Sequence, residues 1–184
     1  MNEIIKGLAK PTVRVKTVAT VFAVVAAVAF PQLIHLISGA IGLETALGEI
    51  LLPMHLPIIL LGHFAGSYFG AAAGFIAPLL SFALTGMPGV AMLPFITAEI
   101  CVYGLVSGLL KDKAIPEIGK VALSQLSGRL VRAVIIAAAI YLFGYTKVDF
   151  SVVFTSIKTG LTGIILQLII IPFVIGAVKR FGDE

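Results

Sequence analysis

The sequence predicts an all-α, polytopic membrane protein: six transmembrane helices in a single domain over residues 1–184, with both termini cytoplasmic. Three observations carry this reading. First, 59% of the 184 residues are hydrophobic and only 12% are charged, whereas a soluble domain carries roughly 25% charged residues. So few charges cannot coat a water-facing surface, which excludes a soluble enzyme domain and a disordered tail. A single cysteine excludes a disulfide framework. Second, apolar runs of membrane-spanning length recur along the chain. Six spans of about 20 residues take about 120 and leave about 60 for loops and termini, too few for a separate soluble domain. Third, the basic residues fall on one side.

The first apolar run, Thr17 to Ile37, follows Lys6, Lys10, Arg14 and Lys16. It begins like a signal peptide but is too long for that apolar region, and further spans follow. Ser38 to Glu49, with three glycines and two glutamates, reads as a loop. The second span runs from Ile50 to Ala65 and contains Pro53 and Pro57. Gly66 leads into the third, Tyr68 to Leu84, and Thr85-Gly86-Met87-Pro88-Gly89 is turn chemistry. The fourth span is Ala91 to Leu110, followed by the charged loop Lys111 to Lys120. The fifth, Val121 to Phe143, contains Gly128, Arg129 and Arg132. After the turn Tyr145 to Phe150, the sixth, Val152 to Val178, contains Lys158, Gln167 and Pro172.

With six spans, the amino terminus, the Lys111 loop and the carboxyl terminus share a side. That side holds nine of the Lys and Arg residues, the other holds Lys147 alone, and Arg129, Arg132 and Lys158 fall within spans. The bias makes the nine-charge side cytoplasmic. The formal net charge of +4 therefore reflects topology and not nucleic-acid binding. No internal repeat is visible, so an inverted-repeat transporter has little support.

An ionisable residue in a span costs roughly 3 kcal/mol at its centre, and Glu99, Arg129, Arg132 and Lys158 bear that cost here. Glu99 lies about 9 Å below the outer surface at 1.5 Å per residue; Lys158 lies at similar depth, and His55 near the outer end of its span. These three suit the lining of an outward-facing pocket, with Arg132 beneath and Arg129 one turn nearer the cytoplasm. The competing reading is that Glu99 only pairs with Arg129, Arg132 or Lys158 to hold the bundle together. Tyr103, one turn after Glu99, is placed to stack on a ring or to serve as a core aromatic. Gln167 is interhelical glue or a substrate contact, and His63 reads as a packing histidine. Ala19, Ala23 and Ala27 form a flat stripe that spacing alone assigns to packing within the bundle, and Gly66, Gly70 and Gly74 repeat the pattern.

Catalytic signals are thin. There is no G-x-x-x-x-G-K-[ST], no G-x-S-x-G, no H-E-x-x-H and no paired-cysteine metal motif. Ser67 follows His63 at helical spacing without a carboxylate to orient the histidine, and Cys101 sits in an apolar run as a packing residue. We expect no catalytic residue, no metal and no cofactor.

Leu-Leu-Pro-Met-His-Leu-Pro-Ile at 51–58 resembles the second span of the substrate-binding S components of energy-coupling factor (ECF) vitamin transporters. Ala77-Pro78-Leu79-Leu80-Ser81 with Thr85-Gly86-Met87-Pro88, and Ala98-Glu99 with Tyr103-Gly104-Leu105-Val106-Ser107-Gly108, are similar to that family too. So are Gly128-Arg129 and Gly163-Ile164-Ile165-Leu166-Gln167. The likeness covers nearly the whole chain in order, within the branch assigned to hydroxymethylpyrimidine, pyridoxine or pantothenate. It implies a non-enzymatic subunit of an ABC-type importer in a bacterial or archaeal plasma membrane. Its partners would be a transmembrane coupling subunit and two ABC ATPases, and its pocket would be closed over by the first, third and fifth loops. It also implies that Ala19, Ala23 and Ala27 dock on the coupling subunit. The branch often has an arginine after Pro-Leu-Leu, where this chain has Ser81. With His55, Glu99 and Tyr103, that departure favours a pyridine or pyrimidine vitamin. Arg129, Arg132 and Lys158 keep pantothenate as the alternative. A membrane enzyme acting on an amphiphile, or a purely structural subunit, are the other classes open.

Overall fold

The computed structural model describes residues 11–40, 42 and 46–182, and every regular element among them is helical. Helix α1, Val13–Ala40, extends the predicted first span at both ends and carries Pro31 within it. The presumed loop that follows is helical in its second half, as α2, Ala46–Leu51. The chain then breaks over Leu52 to Met54 before α3, His55–Ala65.

This break corrects the continuous second span. A proline disfavours helical geometry in the residue before it, and Leu52, which precedes Pro53, adopts φ +50°. The 11 residues of α3 reach only about 16 Å, short of a hydrocarbon core of about 30 Å. Among the described residues, five helices are long and apolar enough to cross a membrane: α1; α4, Ser67–Thr85; α5, Leu93–Leu110; α6, Glu117–Phe143; and α8, Leu161–Gly182, over its stretch to Val178. The predicted sixth span is also split. A short helix α7, Ser151–Thr159, ends at Gly160, and α8 starts one residue later. Gly160 is buried, and a Cβ there would stand 2.8 Å from Leu52 Cδ1 and 2.9 Å from the Ser156 carbonyl oxygen. The two breaks therefore sit against each other.

Close approach of backbones sets the centre of the bundle. Gly62 of α3, Gly70 and Gly74 of α4, and Gly104 and Gly108 of α5 face one another. A Cβ on Gly104 would fall on the Gly70 carbonyl, and one on Gly74 on the Ile100 carbonyl. Small residues are what allow helices to meet at such distances. Ser107 closes the same contact by donating to the Ile59 carbonyl at 2.7 Å. Gly66, at φ +99°, is the single residue joining α3 to α4, a geometry that glycine adopts without steric cost.

The alanine stripe of α1 turns inward. Ala27 is fully buried and Ala23 nearly so; both belong to the core with Ala73 and Ala77, and Ala19 packs against it. This corrects the expected docking role of Ala19, Ala23 and Ala27: their small side chains face the bundle's own core. The outward face of α1 presents Val18, Val21, Phe22 and Val25.

Residue pairs fix the helix directions. Gln32 Nε2 lies 3.3 Å from Thr85 Oγ1, so α1 and α4 end together. Gly128 packs on Tyr103 and Arg132 meets Glu99, so α5 and α6 are antiparallel. One end of the bundle thus collects the starts of α3 and α5 and the ends of α1 and α4. The other carries Arg14, Lys16, Lys111, Lys113 and Lys120. There Lys120 Nζ donates to the Lys111 carbonyl at 2.8 Å and to Glu117 Oε1 at 3.2 Å, and His63 Nε2 lies 3.4 Å from Glu117 Oε2. Lys6 and Lys10 lie outside the described residues, as do the side chains of Lys179 and Arg180.

Candidate functional site

A cavity of about 390 Å³ opens at the end of the bundle away from the basic cluster. Its walls are mostly apolar, with Pro31, Met54, Met92, Ile96 and Ile100 among them, and its ionisable groups converge from four helices: His35 of α1, His55 of α3, Glu99 of α5 and Arg132 of α6. A concave apolar site with a few placed polar groups is the usual form of a small-molecule site, and the volume falls within the usual range of about 300–1,000 Å³.

Glu99 is the most buried of these groups, at 1% exposure. Residues four apart share a helix face, which brings Tyr103 beside it, and the Tyr103 hydroxyl donates to Glu99 Oε1 at 2.6 Å. Arg129 and Arg132, three apart on α6, point at the same carboxylate. Arg132 Nη1 donates to Oε2 at 2.9 Å, and Arg129 Nη1 stands 4.0 Å from Oε1. Gly128 permits this approach, because a Cβ there would run into the Tyr103 ring and stand 2.7 Å from the Glu99 carbonyl oxygen. His55 lies edge-on to Tyr103, ring centroids 5.0 Å apart and planes 66° apart.

The sequence-predicted residues divide. His55, Glu99 and Arg132 line the cavity; Tyr103 and Arg129 brace it from behind. Tyr103 is fully buried, its hydroxyl engaged by Glu99 and its ring met edge-on by His55, so of its two expected roles it takes that of a core aromatic and does not offer its face to a substrate ring. Gln167 is buried but does not line the cavity. It accepts a 2.8 Å bond from Gln125 Nε2 and donates to the Leu52 carbonyl at 3.0 Å, which ties α8 to α6 and to the break before α3. Lys158 departs from expectation. Because α7 is a separate helix, Lys158 is exposed on it, and Val152, Thr155, Ser156 and Thr159 face the cavity instead.

Sequence reasoning passed over Gln32, His35, Thr155 and Ser156, and took Ser81 only as a departure from a pattern. His35 was the most visible of them, a histidine near the outer end of the first span. It packs flush on Gly48, where a Cβ would stand 2.5 Å from His35 Cε1, and its buried Nδ1 has no hydrogen-bond partner among the described residues. A second hollow of about 570 Å³ lies between α4 and α5 over Phe75, Leu79, Thr97 and Cys101. It is larger but carries no ionisable side chain other than Cys101, so the chemistry sits in the first. Among the described residues, no three His, Cys, Asp or Glu side chains are grouped to hold a metal ion.

Among the described residues, whose regular elements are all helices, five membrane-length apolar helices and a cavity with a charged floor define a multi-pass membrane protein. No protein-family model, no curated protein and no solved structure matches this chain.

Proposed function

We propose that this protein is the substrate-binding S component of an ECF-type ABC importer in a bacterial or archaeal plasma membrane. In this reading it binds a small water-soluble vitamin or precursor and carries it across the membrane. It performs no chemistry itself; ATP hydrolysis belongs to two ABC ATPases, joined to it by a transmembrane coupling subunit. The chain crosses six times, with α2–α3 and α7–α8 as its two broken passes and both termini cytoplasmic. The observation that carries the reading is the cavity of about 390 Å³ floored by the Glu99–Arg132 pair. It opens at the end opposite the basic cluster, which the distribution of Lys and Arg puts outside. A site of that size, with apolar walls and converging polar groups, suits a molecule of vitamin size. His55 and the hydroxyls of Ser81, Thr155 and Ser156 offer partners to pyridoxine or hydroxymethylpyrimidine, and Arg132 offers one to pantothenate.

Native mass spectrometry of the protein purified from its own membranes tests the proposal. A retained small molecule, together with co-purification of ABC ATPases, is the expected result. Absence of both refutes it.

A further inference from the structure

The geometry of the cavity floor points to the charge of the molecule it takes, an inference that rests on the binding role proposed above. Glu99 brings one negative charge, and Arg129 and Arg132 bring one positive charge each. The floor therefore carries one excess positive charge. His55 and His35, the other titratable groups at the described cavity surface, can add positive charge but never negative. The carboxylate is already engaged on both oxygens, by Tyr103 at 2.6 Å and Arg132 at 2.9 Å. A neutral ring offering a hydroxyl would have to compete for it.

Arg132 is differently placed. A guanidinium has five N–H donors in a planar fork. Arg132 bonds Glu99 through Nη1, lines the cavity, and has a buried Nε that no described residue partners; Arg129 Nε is buried and likewise without a partner among the described residues. An excess buried charge is costly until an opposite charge joins it. One ligand carboxylate balances the floor and accepts the donors that Glu99 leaves over, in the two-pronged geometry arginine favours. We propose that the cavity selects a monoanionic molecule and holds its carboxylate at Arg132, with Glu99 serving to position that arginine.

The test compares matched acids and neutral analogues by calorimetry on the purified full chain. The probes are pantothenate against pantothenol and nicotinate against nicotinamide, with pyridoxine as a neutral ring. In at least one pair the acid should bind roughly 10- to 100-fold tighter, the range a hydrogen bond to a charged group supports. Arg132→Gln should bring the two members of that pair together. If it does not fold, Glu99→Gln/Arg132→Gln removes both halves of the pair and should do the same. The inference is overturned if pyridoxine or a neutral member binds as tightly as the acids, or if the preference survives in the folded variant; the vitamin-binding role then stands. If none of the five binds, a molecule retained in native mass spectrometry decides. A retained acid supports the inference, a retained neutral compound overturns it, and no retained molecule sinks the binding role along with it.

Discussion

Removing the charge of Glu99 while keeping its shape is the most direct test of the cavity floor. In Glu99→Gln the two guanidiniums, Arg132 at 2.9 Å and Arg129 at 4.0 Å from the carboxylate, lose their counter-ion. Two unit charges 4 Å apart interact by about 4 kcal/mol at an effective dielectric of about 20. Breaking a buried pair from one side is destabilising by about 3–5 kcal/mol, because the surviving charge keeps its desolvation cost. The side chains are 1% exposed for Glu99 and 11% for Arg132, so solvent screens little of this. Glu99→Gln should therefore lose about 3 kcal/mol or more, and Arg132→Gln a similar amount. Glu99→Gln/Arg132→Gln should lose less than the two together, with a coupling of about 2–3 kcal/mol. Reversible unfolding of all four proteins in mixed micelles measures each term. A Glu99→Gln protein within about 1 kcal/mol of wild type, or a strictly additive double variant, would refute the pairing.

Four further outcomes follow from the same geometry. Gly104→Ala puts a methyl group on the Gly70 carbonyl and should destabilise the bundle by about 1–3 kcal/mol in the same assay; wild-type stability would mean α4 and α5 are not in backbone contact. Ala27→Leu overfills a fully buried position and should cost about 1–3 kcal/mol, whereas full stability with loss of partner association alone would restore the docking role of the stripe. Gln167→Leu removes one of the two donors to the Leu52 carbonyl and takes the acceptor from the buried Gln125 Nε2; it should cost about 1–3 kcal/mol, with an unchanged midpoint counting against that tie. Lys158→Ala, at an exposed position, should leave ligand affinity within about twofold; a larger drop would place Lys158 at the cavity.

The long helices were legible because apolar length is a one-dimensional property, and α4, α5 and α6 begin and end within a few residues of the predicted limits. The two breaks were not. Pro53 was visible, yet a proline can kink a helix or end it, and the outcome depends on which distant groups pair with the backbone exposed at the break. Here Gln167, 115 positions along the chain, donates to the Leu52 carbonyl alongside the His55 N–H. That Glu99 and Tyr103 share a helix face followed from their spacing; the bond between them did not. The choice of arginine required the register between α5 and α6, which Gly128 sets by admitting the Tyr103 ring. Lys158 was misplaced for the same reason as the sixth span: its assigned depth assumed one continuous helix through Gly160.

The shortness of α3 bears on how this protein is made. An 11-residue apolar helix reaches about halfway through the hydrocarbon layer, so both of its ends would leave backbone groups without partners in lipid. As the nascent chain emerges, the insertion machinery meets α3 before the glycine faces of α4 and α5 that bury it. With only Gly66 between them, α3 and α4 enter the bilayer as one hairpin. In a released chain truncated after Gly66, a cysteine in place of Leu60 should label with a water-soluble thiol reagent, and in a Cys101→Ala chain extended past Leu110 it should not.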